Sequence, residues 1–308
     1  MTDDTNGRTA PNAGDDAEEA ERRPRGARRP GAPRGNRDRR GAPGKSGSGR
    51  GPSGRSRGSA PRRDSWQEDP VLFGHHAVAF AIANADREIK SLALTENAER
   101  KLADTLSDRP IAVERVTPRD LDRRLGADTV HQGVMAEVEP LPEPDLDNLI
   151  ATAVDKGPIV LLDQVTDPQN VGAVLRSAAV FGAAGVVLTR RQSPPLHGVL
   201  AKAASGALEL VPICLVPNLT RALGDLQAAG VRCIGLAGDA ETALHDVDLR
   251  GPTALVLGAE GKGLRQSTAE ACDQLVRIAA PGPIASLNVS NAAAVALHVA
   301  SLSSAPRA

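Results

Sequence analysis

The stretch LLDQVTDPQNVGAVLRSAAVFGAAGVVL, residues 161–188, opens on one apolar run and closes on another. Between them lie a polar loop and a segment whose apolar residues recur at helical spacing. Short apolar runs bounded by turn signals read as buried strands, so the stretch reads strand, helix, strand. The spacing predicts a strand over 159–163, a helix over 172–181 and a second strand over 185–189. A strand buried on both faces and followed by a covering helix is the repeating unit of a parallel sheet.

The same alternation continues to the end of the chain. Further strands are predicted over 209–214, 231–236, 253–257 and 275–278, with helices over 146–155, 195–205, 219–229, 264–271 and 292–302. Residues 146–308 therefore form an α/β domain with a parallel sheet, and such sheets take their ligands at the carboxyl ends of the strands. Upstream, 66–140 reads as a small α/β unit with helices over 74–85, 96–106 and 118–125 and strands over 91–94, 111–116 and 133–138. Three prolines within 139–145 suit a semi-rigid linker.

Charge is unevenly spread. Residues 22–63 carry fifteen Lys or Arg against one acid, Asp38, a net of +14 that leaves −15 on the remainder of a chain whose total is −1. This segment repeats Gly, Pro, Ser and Arg without apolar periodicity, so residues 1–65 are expected to be a disordered basic tail. Arg-rich tails of this kind bind RNA or other polyanions through phosphate contacts; a solubilising linker is the plainer alternative. The acidic start argues against a mitochondrial targeting peptide. With no signal peptide and no apolar run of the ~18 residues a membrane span needs, the protein is expected in the cytoplasm. Cys214, Cys233 and Cys272 are widely spaced in apolar segments and read as reduced core residues, and His75, His76, His131 and His298 match no zinc spacing, so no metal is expected.

Three segments concentrate polar residues at strand ends. In the first, Asp167, Pro168, Gln169 and Asn170 cap the helix that carries Arg176. Gly172 and Arg176 lie four apart, which puts Arg176 within reach of a pocket bordered by Asn170. An arginine in an apolar helix is costly to bury alone, so it calls for an anionic ligand or a salt bridge to Asp163 or Asp167. The second, ALVLGAEGKGL at 254–264, ends a strand in Gly258, Gly261 and Gly263 around Glu260. Its glycine offsets match neither a Walker loop nor a dinucleotide fingerprint, which leaves a tight turn exposing backbone groups or an ordinary strand-to-helix turn. The third, PGPIASLNVSNAAAVALHVA at 281–300, crowds Ser286, Asn288, Ser290 and Asn291 ahead of an alanine-rich helix. It reads either as a ligand site or as a helix capped by Ser290 or Asn291.

Taken together the three segments resemble the motifs of the TrmH-like branch of the SPOUT methyltransferases. FGHHAV at 73–78, HQGV at 131–134 and KAASGALELVP at 202–212 extend the resemblance, which covers residues 73–302. It implies a trefoil-knotted sheet and an amino-terminal RNA-binding domain of ribosomal-protein L30 type. It also implies a homodimer whose sites borrow from the partner, and transfer of a methyl group from S-adenosylmethionine to a ribose 2′-hydroxyl of RNA. By the same resemblance, backbone at Gly258, Ile278 and Leu287 holds the cofactor. Arg176 is the catalytic arginine, with Asn170, Glu260, Ser286 and Asn288 around it. Two departures stand out: Ala279 and Ala280 replace the proline and methionine usual after Ile278, and Asn291 replaces a small apolar residue.

A guanidinium is a poor base. Arg176 is therefore expected to stabilise the developing alkoxide and hold an RNA phosphate, while a phosphate oxygen or water takes the proton. Asn170 and Asn288 would orient Arg176 and the ribose, and Glu260 would either hold the loops together for catalysis or be structural only. The small module with HQGV favours a guanosine of 23S ribosomal RNA as target. A tRNA 2′-O-methyltransferase and a non-catalytic ribosome-assembly factor are the alternatives. With three Phe, one Trp and no Tyr, aromatic stacking is nearly absent, so RNA recognition is expected to lean on shape and phosphate contacts.

Overall fold

A computed structural model describes residues 70–153, 156–282 and 287–304. The basic tail and Ser286 lie outside the described residues. The first elements are β1 (Val71–Phe73), α1 (His75–Ala83), β2 (Ile89–Leu94), α2 (Glu96–Lys101), α3 (Ala103–Asp108), β3 (Glu114–Arg115), α4 (Pro118–Leu125) and β4 (Val134–Val138). They form a four-stranded sheet in the order β1-β4-β2-β3, in which β4 is antiparallel to both β1 and β2, and β3 is parallel to β2. Helix α4 starts where Thr117 and Asp120 cap each other's backbone N–H in a reciprocal box, with Pro118 in the first turn.

The second group comprises α5 (Leu146–Ala153), β5 (Gly157–Asp163), α6 (Pro168–Val180), β6 (Ala183–Thr189), α7 (Val199–Ala204), β7 (Ile213–Val216), α8 (Leu219–Ala228), β8 (Arg232–Leu236), β9 (Thr242–Ala243), β10 (Thr253–Gly258), α9 (Gln266–Glu270), β11 (Gln274–Arg277) and α10 (Val289–Ser304). Seven strands pair in the order β7-β6-β5-β10-β8-β11-β9, every pair parallel. Residues of β5, β6 and β10 are buried nearly throughout, as their continuous apolar runs require of strands covered on both faces. One face is sealed by α6, α7 and α10, whose Val174, Leu175, Leu200, Ala293 and Leu297 join the main core. On the other, Leu149 of α5 and Leu219, Leu223 and Leu226 of α8 pack on Leu161, Val187 and Val256.

Five expectations need correcting. Residues 207–209 form a single 3-10 turn rather than the start of a strand, and β7 begins only at Ile213. Ser205 and Gly206 both take left-handed φ (54° and 97°), and the Glu209 side chain is drawn away from the sheet into an ion pair with Arg87. The helix expected over 96–106 is broken at Leu102 into α2 and α3, and the strand expected over 111–116 narrows to β3. Helix α10 begins at Val289, and its cap is Asn288: the Asn288 Oδ1 accepts from the Ser290 N–H at 2.9 Å. Ser290 and Asn291 lie in its first turn. Helix α6 starts at Pro168, with Asp167 Oδ1 accepting from the Gln169 N–H at 3.0 Å.

Candidate active site

Strands β5 and β10 are neighbours in the middle of the sheet, and their register sets Gly258 opposite Asp163, so both end at the same level. Asp163 is fully buried. Its carboxylate accepts from the Arg265 backbone N–H at 3.0 Å and from the Arg265 Nε at 2.7 Å. This pair draws the chain after β10 back over its own strand end. The Gly263 N–H donates to Ala259 O at 2.9 Å, closing the loop, and Gly261 and Gly263 take the left-handed φ that only glycine adopts freely. A Cβ at Gly258 would lie 2.0 Å from the Gly263 carbonyl carbon, so backbone rests directly on backbone there. Sequence reasoning missed the Asp163–Arg265 pair, which lies across 102 residues. Replacing Arg265 by alanine strands a buried carboxylate, and urea unfolding is expected to show a loss of about 2–3 kcal/mol.

The strand ends enclose a cavity of about 540 Å³, within the range of small-molecule sites. Gly258, Ile278 and Leu287, the three residues expected to hold a cofactor by backbone, all line it. Ala280, at one of the two departures from the family pattern, lines it too. Asp239, in the loop after β8, adds a carboxylate that sequence reasoning did not single out; an acid and a glycine where a strand runs out were the available signal.

At the rim, three loops are tied by side chains. The Asn170 Nδ2 donates to Glu260 Oε1 at 3.2 Å, the Asn288 Nδ2 donates to Asn170 Oδ1 at 2.9 Å, and the Asn288 Nδ2 also meets Glu260 Oε1. Asn288 thus uses its oxygen to cap α10 and its amide to join the other two motifs. The structure brings together Asn170, Glu260, Asn288, Gly258, Ile278 and Leu287. It leaves Arg176 apart. Six positions along α6 place Arg176 about 120° around the helix from Asn170. It is exposed, with no hydrogen bond or ion pair to any described residue, and Asp163 and Asp167 have other partners. Gly172 does not share its surroundings, being pressed against Leu200 and Ala203 of α7.

The thiols of Cys233 and Cys272 are poor nucleophiles. Burial pushes the thiols of Cys233 and Cys272 up to about 12, and among the described residues no group of three or more His, Cys, Asp or Glu stands where a metal would bind. In the small module, HQGV and FGHHAV meet. Gln132, at φ 57°, accepts the His75 backbone N–H on its Oε1 at 2.8 Å, while the His131 Nδ1 accepts the Gly133 N–H at 3.0 Å.

Residues 157–298 match the model of the SpoU rRNA methylase family, and residues 71–144 match that of the RNA 2′-O ribose methyltransferase substrate-binding domain. The chain is 38% identical over 236 residues to the 23S rRNA (guanosine-2′-O-)-methyltransferase RlmB of Pseudomonas syringae pv. tomato, covering 74% of this chain and 94% of the relative. Among solved structures it is similar to the SpoU methyltransferase AviRb from Streptomyces viridochromogenes, with 25% identity and a TM-score of 0.63 over 75% of this chain and 88% of that one. The same enzyme in complex with AdoMet superposes equally well, at 24% identity, a likeness of fold.

Proposed function

The chain belongs to the SpoU rRNA methylase family, and on that premise we propose that it transfers a methyl group from S-adenosylmethionine to the ribose 2′-hydroxyl of a guanosine in 23S ribosomal RNA. The observation that carries the reading is the Asn170–Glu260–Asn288 network closing the rim of the strand-end cavity. The cavity suits the cofactor. Gly258, Ile278 and Leu287 line it, their backbone would hold the adenosine, and Asp239 and Glu260 favour a cationic centre. When bound, the cofactor supplies an electrophilic methyl.

The chain's own residues position and stabilise. Holding two reactants in line is worth roughly 7–11 kcal/mol, and three loops locked by Glu260 supply the rigidity this demands. As the O–CH₃ bond forms, the hydroxyl proton leaves to a phosphate oxygen or water, and the Arg176 guanidinium stabilises the charge that develops on the ribose oxygen. Ser286, from the segment outside the described residues, belongs to the same proposed set. The division into a basic RNA-binding tail at 1–65, an RNA-recognition module at 66–140 and a methyltransferase domain at 146–308 is part of the reading. The two family-model matches support its last two parts.

Arg176 does not line its own cavity, and the reading takes it from a second copy of the chain. The surface around it supports this. Val180 on α6 and Val295 and Leu302 on the adjoining α10 are exposed apolar residues. The rings of Phe181 and His298, 5.6 Å apart, join the two helices into one face. Light scattering is expected to give a dimer mass for the full chain and a monomer mass for Val295→Asp, with methyl transfer lost alongside; a Val295→Asp protein that stays dimeric would remove this face from the interface. The reading also places the enzyme in the cytoplasm. No helix among the described residues is long and apolar enough to cross a membrane.

Incubation with S-adenosylmethionine carrying a labelled methyl, offered 23S and transfer RNA separately, tests the substrate. Label is expected in 23S RNA. Label confined to tRNA overturns the substrate, and no label in any RNA, with the cofactor unbound, supports the assembly-factor alternative.

A further inference from the structure

Arg87, in the loop between α1 and β2, is 3% exposed. Its guanidinium forks onto the Glu209 carboxylate, with Nη2 at 2.7 Å from Oε1 and Nε at 3.1 Å from Oε2. The side chains are 4% and 2% exposed. The pair is embedded in a polar frame: the Arg87 Nη1 donates to Glu139 O at 2.6 Å, and the Asn84 Nδ2 donates to Glu209 Oε2 at 2.8 Å. Behind it, Arg109 donates to Asn84 O and Arg87 O at 2.6 and 2.8 Å, fixing the loop from which Arg87 extends.

Arg87 belongs to the small sheet's unit and Glu209 to the segment after α7, 122 residues away. Two further contacts lie along this seam. The Gly198 N–H donates to Val71 O at 2.8 Å, and a Cβ at Gly206 would meet the Phe80 ring at 2.4 Å. On its other side the same segment carries α6, where a Cβ at Gly172 would stand 2.6 Å from Leu200 O and from Ala203 Cβ. Residues 198–209 are thus a shim between the small module and the helix that bears Asn170 and Arg176. KAASGALELVP at 202–212, which no step of the chemistry uses, supplies the second half of this shim, including Gly206 and Glu209.

A buried ion pair adds little net stability over an apolar pair of similar volume, because desolvation offsets the attraction. What it adds is direction: a bidentate fork is made in one relative orientation and lost in others. We propose that Arg87 and Glu209 are positioning residues that lock the RNA-recognition module in one orientation on the 198–209 shim. They thereby set which nucleotide, at a fixed distance from the RNA held by that module, reaches the methyl-transfer site. This rests on the function proposed above, from which it takes the roles of the two units.

The test uses the full chain, 23S RNA and S-adenosylmethionine. Glu209→Gln is expected to bind cofactor as wild type does, to lose about a hundredfold in kcat/KM for RNA, and to spread methyl groups to nucleotides other than the native target. The double exchange Arg87→Glu with Glu209→Arg is expected to restore part of both. Wild-type kcat/KM with a single methylated nucleotide in Glu209→Gln would overturn the proposal. Should Glu209→Gln fail to bind cofactor, Arg87→Lys decides instead. It keeps the charge but not the fork, so an intermediate loss of kcat/KM with relaxed targeting supports the lock, and wild-type behaviour overturns it. If the wild-type chain methylates no RNA, the functional reading fails separately, and X-ray scattering judges the lock: a larger radius of gyration in Glu209→Gln than in wild type supports it, and equal radii overturn it.

Discussion

Arg176→Ala is expected to lower kcat by about 10²–10³, with S-adenosylmethionine affinity within about twofold of wild type. The split follows from where Arg176 stands. It lines no part of the cavity beneath Gly258, so its removal leaves the cofactor's surroundings intact. It is exposed and unpaired among the described residues, so no fold-stabilising contact goes with it. On the proposed role, what disappears is charge stabilisation at the ribose oxygen, which is felt only as the reaction proceeds. Arg176→Lys keeps the charge without the planar fork and is expected to recover a fraction of the loss. Full turnover in Arg176→Lys would show that a point charge suffices and that the fork does not hold the RNA phosphate. Mixing Arg176→Ala with Asn288→Ala subunits offers a sharper check. If each site takes its arginine from the partner, mixed dimers regain one working site, whereas either variant alone has none.

Gly258→Ala is expected to act on the other half of the split, weakening cofactor binding by at least about tenfold and costing about 1–3 kcal/mol of stability. The added methyl cannot be accommodated by a side-chain turn, because its neighbours are the Gly263 carbonyl at 2.0 and 2.1 Å and the Leu264 nitrogen at 2.3 Å, all backbone. The loop must lift. Lifting it pulls Glu260 from Asn170 and Asn288 and separates Arg265 from Asp163. Alanine at Gly261 meets open space and pays only for its left-handed φ of 74°, so it is expected to be the milder change. Calorimetry with S-adenosylmethionine and urea unfolding on both variants measure the difference.

The parallel sheet was legible because β5, β6 and β10 are apolar at nearly every position, and only burial on both faces explains such runs. The strand ends followed from them, and with them the proximity of the loops bearing Asn170, Glu260 and Asn288. The two- and three-residue strands β9 and β1 carry too few residues for any period to show. Glu209 was hidden differently: an acid between leucines suits a half-exposed strand, and only its partner 122 residues away reveals a buried role. For Arg176 the four-residue spacing to Gly172 fixed the geometry of one helix but not what lies against it. Gly172 is small because α7 presses on it, a reason that involves no ligand. At α10, Ser290 and Asn291 were the expected caps, and residue type alone does not set them apart from Asn288. Asn288 takes the role because its amide is already held by Asn170 and Glu260.

The central claim is that this chain methylates a guanosine ribose in 23S RNA through an arginine lying outside its own cavity. Mapping 2′-O-methyl groups across 23S RNA tests it most directly, using cells that lack the gene and the same cells carrying the wild-type or the Arg176→Ala chain. The account predicts one guanosine methylated with the wild-type chain and unmethylated both without the gene and with Arg176→Ala. An identical 2′-O-methyl map of 23S RNA in all three would contradict it.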